Sequence, residues 1–369
     1  MSMRWKGAVI PNPPTVVGPV GGEGGSASGA WTLQTQLQYA GIDGWPKPLI
    51  PKQLWSWGFN SFGQLGLGNT TNYSSPKQVG ALTTWLSVSS GQYYTVSIKT
   101  DGTLWSWGQN NLGQLGLGNI TNYSSPKQVG ALANWSSVSC SNDSTVAIKS
   151  DGTLWSWGRN QYGQLGLGNI TNYSSPKQVG ALTTWSSVSC GQYYTVSIKT
   201  DGTLWSWGIN NFGQLGQGNT TNLSSPKQVG ALTNWLSVSC GYAHTVSIKT
   251  NGTLWSWGRN NVGQLGQGNI TNYSSPMQVG ALTNWSSVSC GYNFTAAIKT
   301  DGTLWSWGLN TNGQLGQGNT TNYSSPKQVG ALTNWLSVSC GIYRTVSIKT
   351  NGTLWSWGYN AQGQLGLNN

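Results

Sequence analysis

The stretch Leu154-Trp155-Ser156-Trp157-Gly158-Arg159-Asn160-Gln161-Tyr162-Gly163-Gln164-Leu165-Gly166 decides the fold of this chain, because close copies of it begin at Leu54, Leu104, Leu154, Leu204, Leu254, Leu304 and Leu354. The spacing is 50 residues throughout, without an insertion. A fixed period of this size marks stacked or radially arranged units, each burying its apolar faces against its neighbours. One unit therefore stands for the whole.

Upstream of the quoted stretch, Trp135 to Cys140 alternates Val138 and Cys140 with Ser137 and Ser139, the period of a strand. Thr145 to Lys149 predicts a second strand with Val146 and Ile148 on one face, and Ser150-Asp151-Gly152 then predicts a tight turn. Leu154 to Trp157 is the third strand, its two tryptophans on one face and available for packing against a neighbouring unit. Beyond Gly163 and Gly166, Pro176 to Val179 predicts a short fourth strand, where proline suits an edge.

Four short antiparallel strands in 50 residues predict an all-β fold, a β-propeller built of four-stranded blades. The blade count stays between six and seven. There are seven third strands, but only six copies of the first two strands, starting at Trp85, Trp135, Trp185, Trp235, Trp285 and Trp335, and six of the fourth. Five blades are contiguous from Trp85 through Val329; a sixth can close by pairing the last hairpin with Leu54 to Val79, which leaves residues 354–369 redundant.

These residues carry a resemblance. LWSWGRNQYGQLGLGN, followed by SSPKQV, WSSVSCG and TVSIKTDG, resembles the repeat of the regulator of chromosome condensation family over residues 54–369. The resemblance implies a propeller, usually of seven blades, and its Gly-Gln-Leu-Gly element separates the chain from Trp-Asp repeat propellers.

Residues 1–53 differ in composition. Pro11 to Gly29 mixes proline and glycine and reads as a linker or extended arm. Ser28 then caps a short predicted helix over Ala30 to Tyr39, with Leu33 and Leu37 on one face. The chain thus divides into an attachment arm, residues 1–53, and a propeller, residues 54–369, with Trp5, Trp31, Leu33, Leu37 and Trp45 as the arm's attachment residues. Arg4-Trp5-Lys6-Gly7, Ser28-Gly29-Ala30-Trp31-Thr32-Leu33 and Gly44-Trp45-Pro46 make the arm similar to the amino-terminal segment of structural proteins of marine tailed bacteriophages. That likeness implies a virion component whose arm holds other virion proteins while the propeller is displayed.

Charged residues are only 7% of the chain, and the net charge of +11 is spread by the repeat. One lysine per unit lies at Lys99, Lys149, Lys199, Lys249, Lys299 and Lys349, another at Lys77, Lys127, Lys177, Lys227 and Lys327. Two diluted, solvated rings argue against specific nucleic-acid binding, which favours a basic stripe. The five cysteines, Cys140, Cys190, Cys240, Cys290 and Cys340, share one repeat position, filled by Ser90 in the first unit. Equivalent sites on successive blades are too far apart for disulfides, so buried free thiols are expected. No apolar run has the length of a membrane span, and residues 1–10 lack a signal-peptide core. Synthesis in the host cytoplasm and residence in the virion follow from the phage reading.

No catalytic constellation, metal site or cofactor motif stands out. His244 is the sole histidine, and Asp101, Asp151, Asp201 and Asp301 are turn residues that alternate with Asn251 and Asn351. The informative signal is where the copies disagree. One variable patch follows the first strand, the other follows the third, and a meander places both at the same end of every blade, opposite the Asp-Gly turns. Candidate ligand or partner residues are Tyr93, Tyr94, Asn142, Asp143, Arg159, Tyr162, Tyr193, Tyr194, Phe212, Tyr242, His244, Arg259, Phe294, Tyr343 and Arg344. Tyrosine and arginine combine contact area with directional hydrogen bonds, as binding hot spots require. The expected function is non-enzymatic: a phage tail-fibre, appendage or surface protein that recognises a host surface or glycan, with homo-oligomers possible. The alternatives are a capsid decoration or adaptor protein and an intracellular scaffold such as a small-GTPase exchange factor.

Overall fold

Apolar residues alternate with serine and threonine in each repeat, and that alternation becomes strand in the computed structural model, which describes residues 53–81 and 84–368. The chain enters through β1 (Trp55–Gly58) and β2 (Tyr73–Gln78), followed by a blade made of β3 (Trp85–Ser90), β4 (Tyr94–Lys99), β5 (Leu104–Gly108) and β6 (Tyr123–Gln128). The next blades run from β7 (Trp135–Cys140) to β10 (Tyr173–Gln178), β11 (Trp185–Cys190) to β14 (Leu223–Gln228), β15 (Trp235–Cys240) to β18 (Tyr273–Gln278), and β19 (Trp285–Cys290) to β22 (Tyr323–Gln328). Last come β23 (Trp335–Cys340), β24 (Arg344–Lys349) and β25 (Leu354–Gly358). Among the described residues there is no helix; the helix expected over Ala30 to Tyr39 lies outside them.

Within a blade each strand pairs antiparallel with the next, and the register repeats, with Thr195 opposite Trp207 and Ser197 opposite Trp205 in one blade. The first strands match expectation. The third runs one residue further, to Gly158, and the fourth begins at Tyr173 rather than Pro176. A register irregularity between Tyr173 and Lys177 accommodates the proline at the blade's outer edge.

The molecule is an all-β propeller in which six blades carry an inner hairpin; five have all four strands, and β23–β25 lacks a fourth among the described residues. The alternative closure by pairing the last hairpin with Leu54 to Val79 is not what forms. β24 pairs with β25 of its own repeat, Val346 opposite Ser356, so residues 354–358 are not redundant. The local turn, in which Gly352 N–H donates to Lys349 O, closes a far shorter loop than pairing with β1 would. β1 and β2 instead form a two-stranded sheet at a partial seventh position.

Identical contacts join every sector to the next. Trp107 Nε1 donates to Gln64 O at 2.9 Å, Trp157 to Gln114 O at 2.9 Å and Trp357 to Gln314 O at 3.0 Å. Trp57 Nε1 donates to Gln364 O at 3.0 Å, which closes the ring in the same way. Glycine is required beside these indoles: a Cβ at Gly116 would lie 2.7 Å from Trp157 Nε1. The Gly68 N–H bonds Ser124 O of the next blade, and at the closure Asn368 takes that role with Ser74 O at 2.9 Å. Asn368 is the one described non-glycine residue at positive φ, 61°, a conformation asparagine tolerates better than most.

The core lies between blades. One cluster joins Tyr94, Val96, Ile98 and Leu104 to Trp135, Cys140 and Trp157 of the following blade. Around the innermost strands, Ser89 Oγ accepts from Cys140 N–H at 2.9 Å, and the link recurs through Ser289 and Cys340. The cysteines are free, four of them buried, and burial pushes the Cys140 thiol up to about 11 and the Cys240 and Cys340 thiols up to about 12. Ser90, which replaces cysteine, belongs to the one first strand that has no first strand before it among the described residues.

Candidate recognition face

The two ends of each blade are built differently. At the turn end, Asp101 Oδ1 accepts from the Thr103 N–H and hydroxyl at 2.9 and 2.6 Å, and Thr103 Oγ1 accepts from Trp105 Nε1 at 2.9 Å. The hydroxyl bond is the main reason the Asp101 carboxyl sits below the usual carboxylate range. Asn251 makes the same contacts with Thr253, so the position needs an acceptor rather than a charge. The inner lysines are not the solvated ring their spacing suggested. Lys99 is buried, with Nζ 3.6 Å from the Trp105 ring centre and 5.1 Å from that of Trp85, and all six inner lysines repeat the arrangement. Desolvation lowers the affinity of Lys99, Lys149, Lys199, Lys249 and Lys299 for the proton.

At the other end Gln109 N–H donates to Tyr93 O, Arg159 to Asp143 O and Tyr359 to Tyr343 O, each at 2.9 Å, so the loops after strands one and three meet. Their side chains form a belt. Tyr93 packs on Phe59 and Phe62 of the preceding sector, with ring centres 5.8 and 5.0 Å apart. Tyr193 packs on Tyr162 at 5.3 Å, and Arg159 lies 4.8 Å over its ring while pairing with Asp143 at 3.1 Å. Arg259 bridges Phe212 and Tyr242 at 5.0 and 5.7 Å. Tyr242, Tyr292, Tyr343 and Tyr359 then follow one another at 4.2, 5.8 and 6.4 Å. Burial raises the Tyr193 hydroxyl pKa and pushes that of Tyr292 up to about 12.

The candidates separate by depth. Tyr93, Asn142, Asp143, Arg159, Tyr162, Tyr193, Phe212, Tyr242, Arg259 and Tyr343 lie part-exposed on this end. Tyr94, Tyr194, His244 and Phe294 do not: they are interior, because the third residue of each variable triplet opens the second strand and points at the next blade. Tyr94 Oη donates to Ser144 O at 2.6 Å, and His244 Nε2 lies 3.2 Å from Thr295 Oγ1. They are corrected from binding to packing residues. Arg344 holds the same position but is only part-buried, at the seam beside β1. The arm's Trp5, Trp31, Leu33, Leu37 and Trp45 lie outside the described residues.

The first triplet residues, Gln92, Asn142, Gln192, Tyr242, Tyr292 and Ile342, line a central cavity of about 450 Å³ floored by the cysteine strands. Tyr292 and Gln92 were missed as site residues although they stand in the variable patch; first-strand parity separates them from the interior third residue. Ile120, Ile170 and Ile270 were also missed. They vary with threonine at Thr70, Thr220 and Thr320 and stand about 65% exposed on the loop leading to strand four. The turn end carries Leu132, Leu182 and Leu232, each about half exposed. Among the described residues no group of three or more His, Cys, Asp or Glu side chains is placed to hold a metal ion, and no helix is long and apolar enough to cross a membrane.

The repeat profile described as "Regulator of chromosome condensation (RCC1) repeat" matches six successive segments, residues 53–98, 101–148, 151–198, 201–248, 251–298 and 301–348. A second profile of the same description matches segments from residue 85 to residue 364. The chain belongs to this repeat family. Solved structures share the fold. Prp20p from Saccharomyces cerevisiae, studied with its binding to Gsp1p and histones, aligns with a TM-score of 0.78 at 20% identity over 87% of this chain and 84% of its own. Yeast RCC1 (Prp20) bound to Kap60 aligns at 0.76 with 20% identity, covering 86% and 81%. Human WBSCR16 aligns at 0.77 with 21% identity, covering 86% and 91%. No curated protein matches the chain.

Proposed function

We propose that this RCC1-repeat propeller is a non-enzymatic recognition protein whose diversified end binds a host-surface or glycan ligand. One observation carries the reading: side chains that differ between otherwise near-identical units converge at one end into a belt of Tyr93, Tyr193, Tyr242, Tyr292 and Tyr343 with Arg159 and Arg259. Such a belt offers flat apolar faces edged by hydroxyl and guanidinium donors, the chemistry that stacks on sugar rings and bonds their hydroxyls. The similarity of the arm's sequence, Arg4-Trp5-Lys6-Gly7 and Ser28-Gly29-Ala30-Trp31-Thr32-Leu33, to phage structural proteins supports a virion setting in which the arm is the anchor. Binding of the full-length protein to immobilised glycans and to host cells tests the recognition, and mass spectrometry of purified particles tests the location. Absence of the chain from virions removes the phage setting; absence of any surface or glycan binding removes the recognition.

A further inference from the structure

The first triplet residues are sorted, not mixed, around the central cavity. Gln92, Asn142 and Gln192 come from three successive blades, Tyr242 and Tyr292 from the next two, and Ile342 from the sixth. One arc of the rim is therefore carboxamide and the other aromatic and aliphatic. Backbone bonds between neighbouring triplets fix the spacing: Gln92 N–H donates to Asn142 O and Gln192 N–H to Tyr242 O at 3.4 Å, and Tyr242 N–H to Tyr292 O at 3.1 Å. The Tyr242 and Tyr292 rings, 4.2 Å apart and tilted by 37°, form one wall. The carboxamides of the rim differ from those that build the fold. Asn110 accepts from Leu115 N–H at 2.9 Å and donates to Asn119 O at 3.0 Å, and Gln114 accepts from Leu112 N–H at 3.0 Å. The side chains of Gln92, Asn142 and Gln192 make no hydrogen bond among the described residues, although Asn142 and Gln192 are part-buried. Packing below keeps the well deep: a Cβ at Gly191 would run into the Tyr194 ring, and where Ser141 replaces glycine, the residue beneath it is the small Ser144.

We propose that this well is a subsite for one neutral pyranose ring of the glycan, an assignment that deepens the recognition reading above and rests on it. A pyranose has the same division as the rim, an apolar C–H face and an edge of hydroxyls. The C–H face lies against Tyr242 and Tyr292, and the hydroxyls meet Gln92, Asn142 and Gln192. A carboxamide both donates and accepts, as a sugar hydroxyl does, whereas an ammonium only donates and a carboxylate only accepts. The cavity volume of about 450 Å³ falls within the roughly 300–1,000 Å³ of small-ligand pockets. None of the six rim side chains is charged, and Arg344, in the sixth blade, is the one charged residue among the described lining, so the rim itself selects an uncharged ring. The backbone bonds between triplets hold the rim in place before the sugar arrives, which limits the ordering cost of binding. Tyr93, Tyr193 and Tyr343 stand outside the well on the belt, where they meet the rest of the glycan.

Saturation-transfer NMR titration of the full-length protein tests the subsite. The probes are the methyl pyranosides of glucose, galactose, mannose and N-acetylglucosamine, with that of glucuronic acid as the charged comparison. At least one neutral probe is expected to bind, and to bind more tightly than the glucuronide. Asn142→Ala with Gln192→Ala, and separately Tyr242→Gln with Tyr292→Gln, should each weaken that binding about tenfold. Glutamine already stands at this position in two blades, so the second pair suits the fold. Leu132→Ser with Leu182→Ser, at the opposite end, should bind like the parent. Binding unchanged in both rim pairs overturns the proposal, and so does a preference for the glucuronide, which assigns the site to an acidic ligand of Arg344. Loss with Tyr93→Ala and Tyr193→Ala but not with the rim pairs moves the sugar to the outer belt and overturns the subsite alone. If no methyl pyranoside binds while the protein still binds host cells, the subsite falls and the recognition reading stands; if neither binds, both fall.

Discussion

Replacing His244 by phenylalanine should remove a pH dependence that the fold builds in at one position. His244 is fully buried between blades, its Nε2 is 3.2 Å from Thr295 Oγ1, and its Nδ1 has no partner among the described residues. Thr295 Oγ1 already donates to Gln264 O, so the hydroxyl accepts from the imidazole and the neutral ring carries its proton on Nε2. Burial pulls the imidazole pKa from 6.5 down to about 3. Between those values the unfolded chain takes up a proton that the folded chain refuses, so stability falls as the pH drops through 6.5 and levels off only near 3. From pH 7 to pH 5 the loss from this residue is about 2 kcal/mol. Phe294 fills the same position of the next blade, so His244→Phe fits the site and does not titrate. Urea unfolding of both proteins at pH 7 and pH 5 isolates the effect, because the acid-lowered turn aspartates are common to both. The variant should gain about 2 kcal/mol on the parent at pH 5 relative to pH 7. Parallel pH profiles would refute the buried, neutral assignment.

Three further outcomes follow from packing. Trp207→Ala, at an indole that is fully buried and bonded to Gln164 O, should cost about 3–5 kcal/mol in denaturant unfolding. Trp355, 48% exposed on a strand without an outer neighbour among the described residues, should cost no more than about 1 kcal/mol when replaced by alanine. The five thiols should react slowly with a thiol reagent in the native protein at neutral pH and stoichiometrically after denaturation, with Cys340 first among them because it is the least covered.

Most of the fold was legible because the repeat is its own alignment. Asn160 shows why. Fully buried, it accepts from Leu165 N–H at 2.9 Å and donates to Asn169 O at 3.0 Å, so the Gly-x-Asn-x-x-Gly-Gln-Leu-Gly run is one hydrogen-bonded loop repeated intact. The strand periods and the shared end of the variable loops were legible for the same reason. The blade count was not, because strand inventory does not say whether β24 meets β1 or its own β25; the local turn decides that. Depth was also hidden. The variability of Tyr94, His244 and Phe294 read as part of a binding surface, yet these residues pack between blades, where several large side chains fit the same gap. The lysines misled in the opposite sense, since a charged residue in a repeat suggests solvent until the neighbouring Trp rings are placed.

The recognition face is tested most directly by the binding of full-length variants to host cells. Tyr242→Ala with Tyr343→Ala removes two rings of the tyrosine row, and each ring at a true hot spot is worth about 2 kcal/mol or more of binding. Leu132→Ser with Leu182→Ser changes the half-exposed leucines of the opposite end. Loss of binding by the tyrosine pair, with the leucine pair binding like the parent and both folded, is the predicted result; binding that survives the tyrosine changes and disappears with the leucine changes would contradict it.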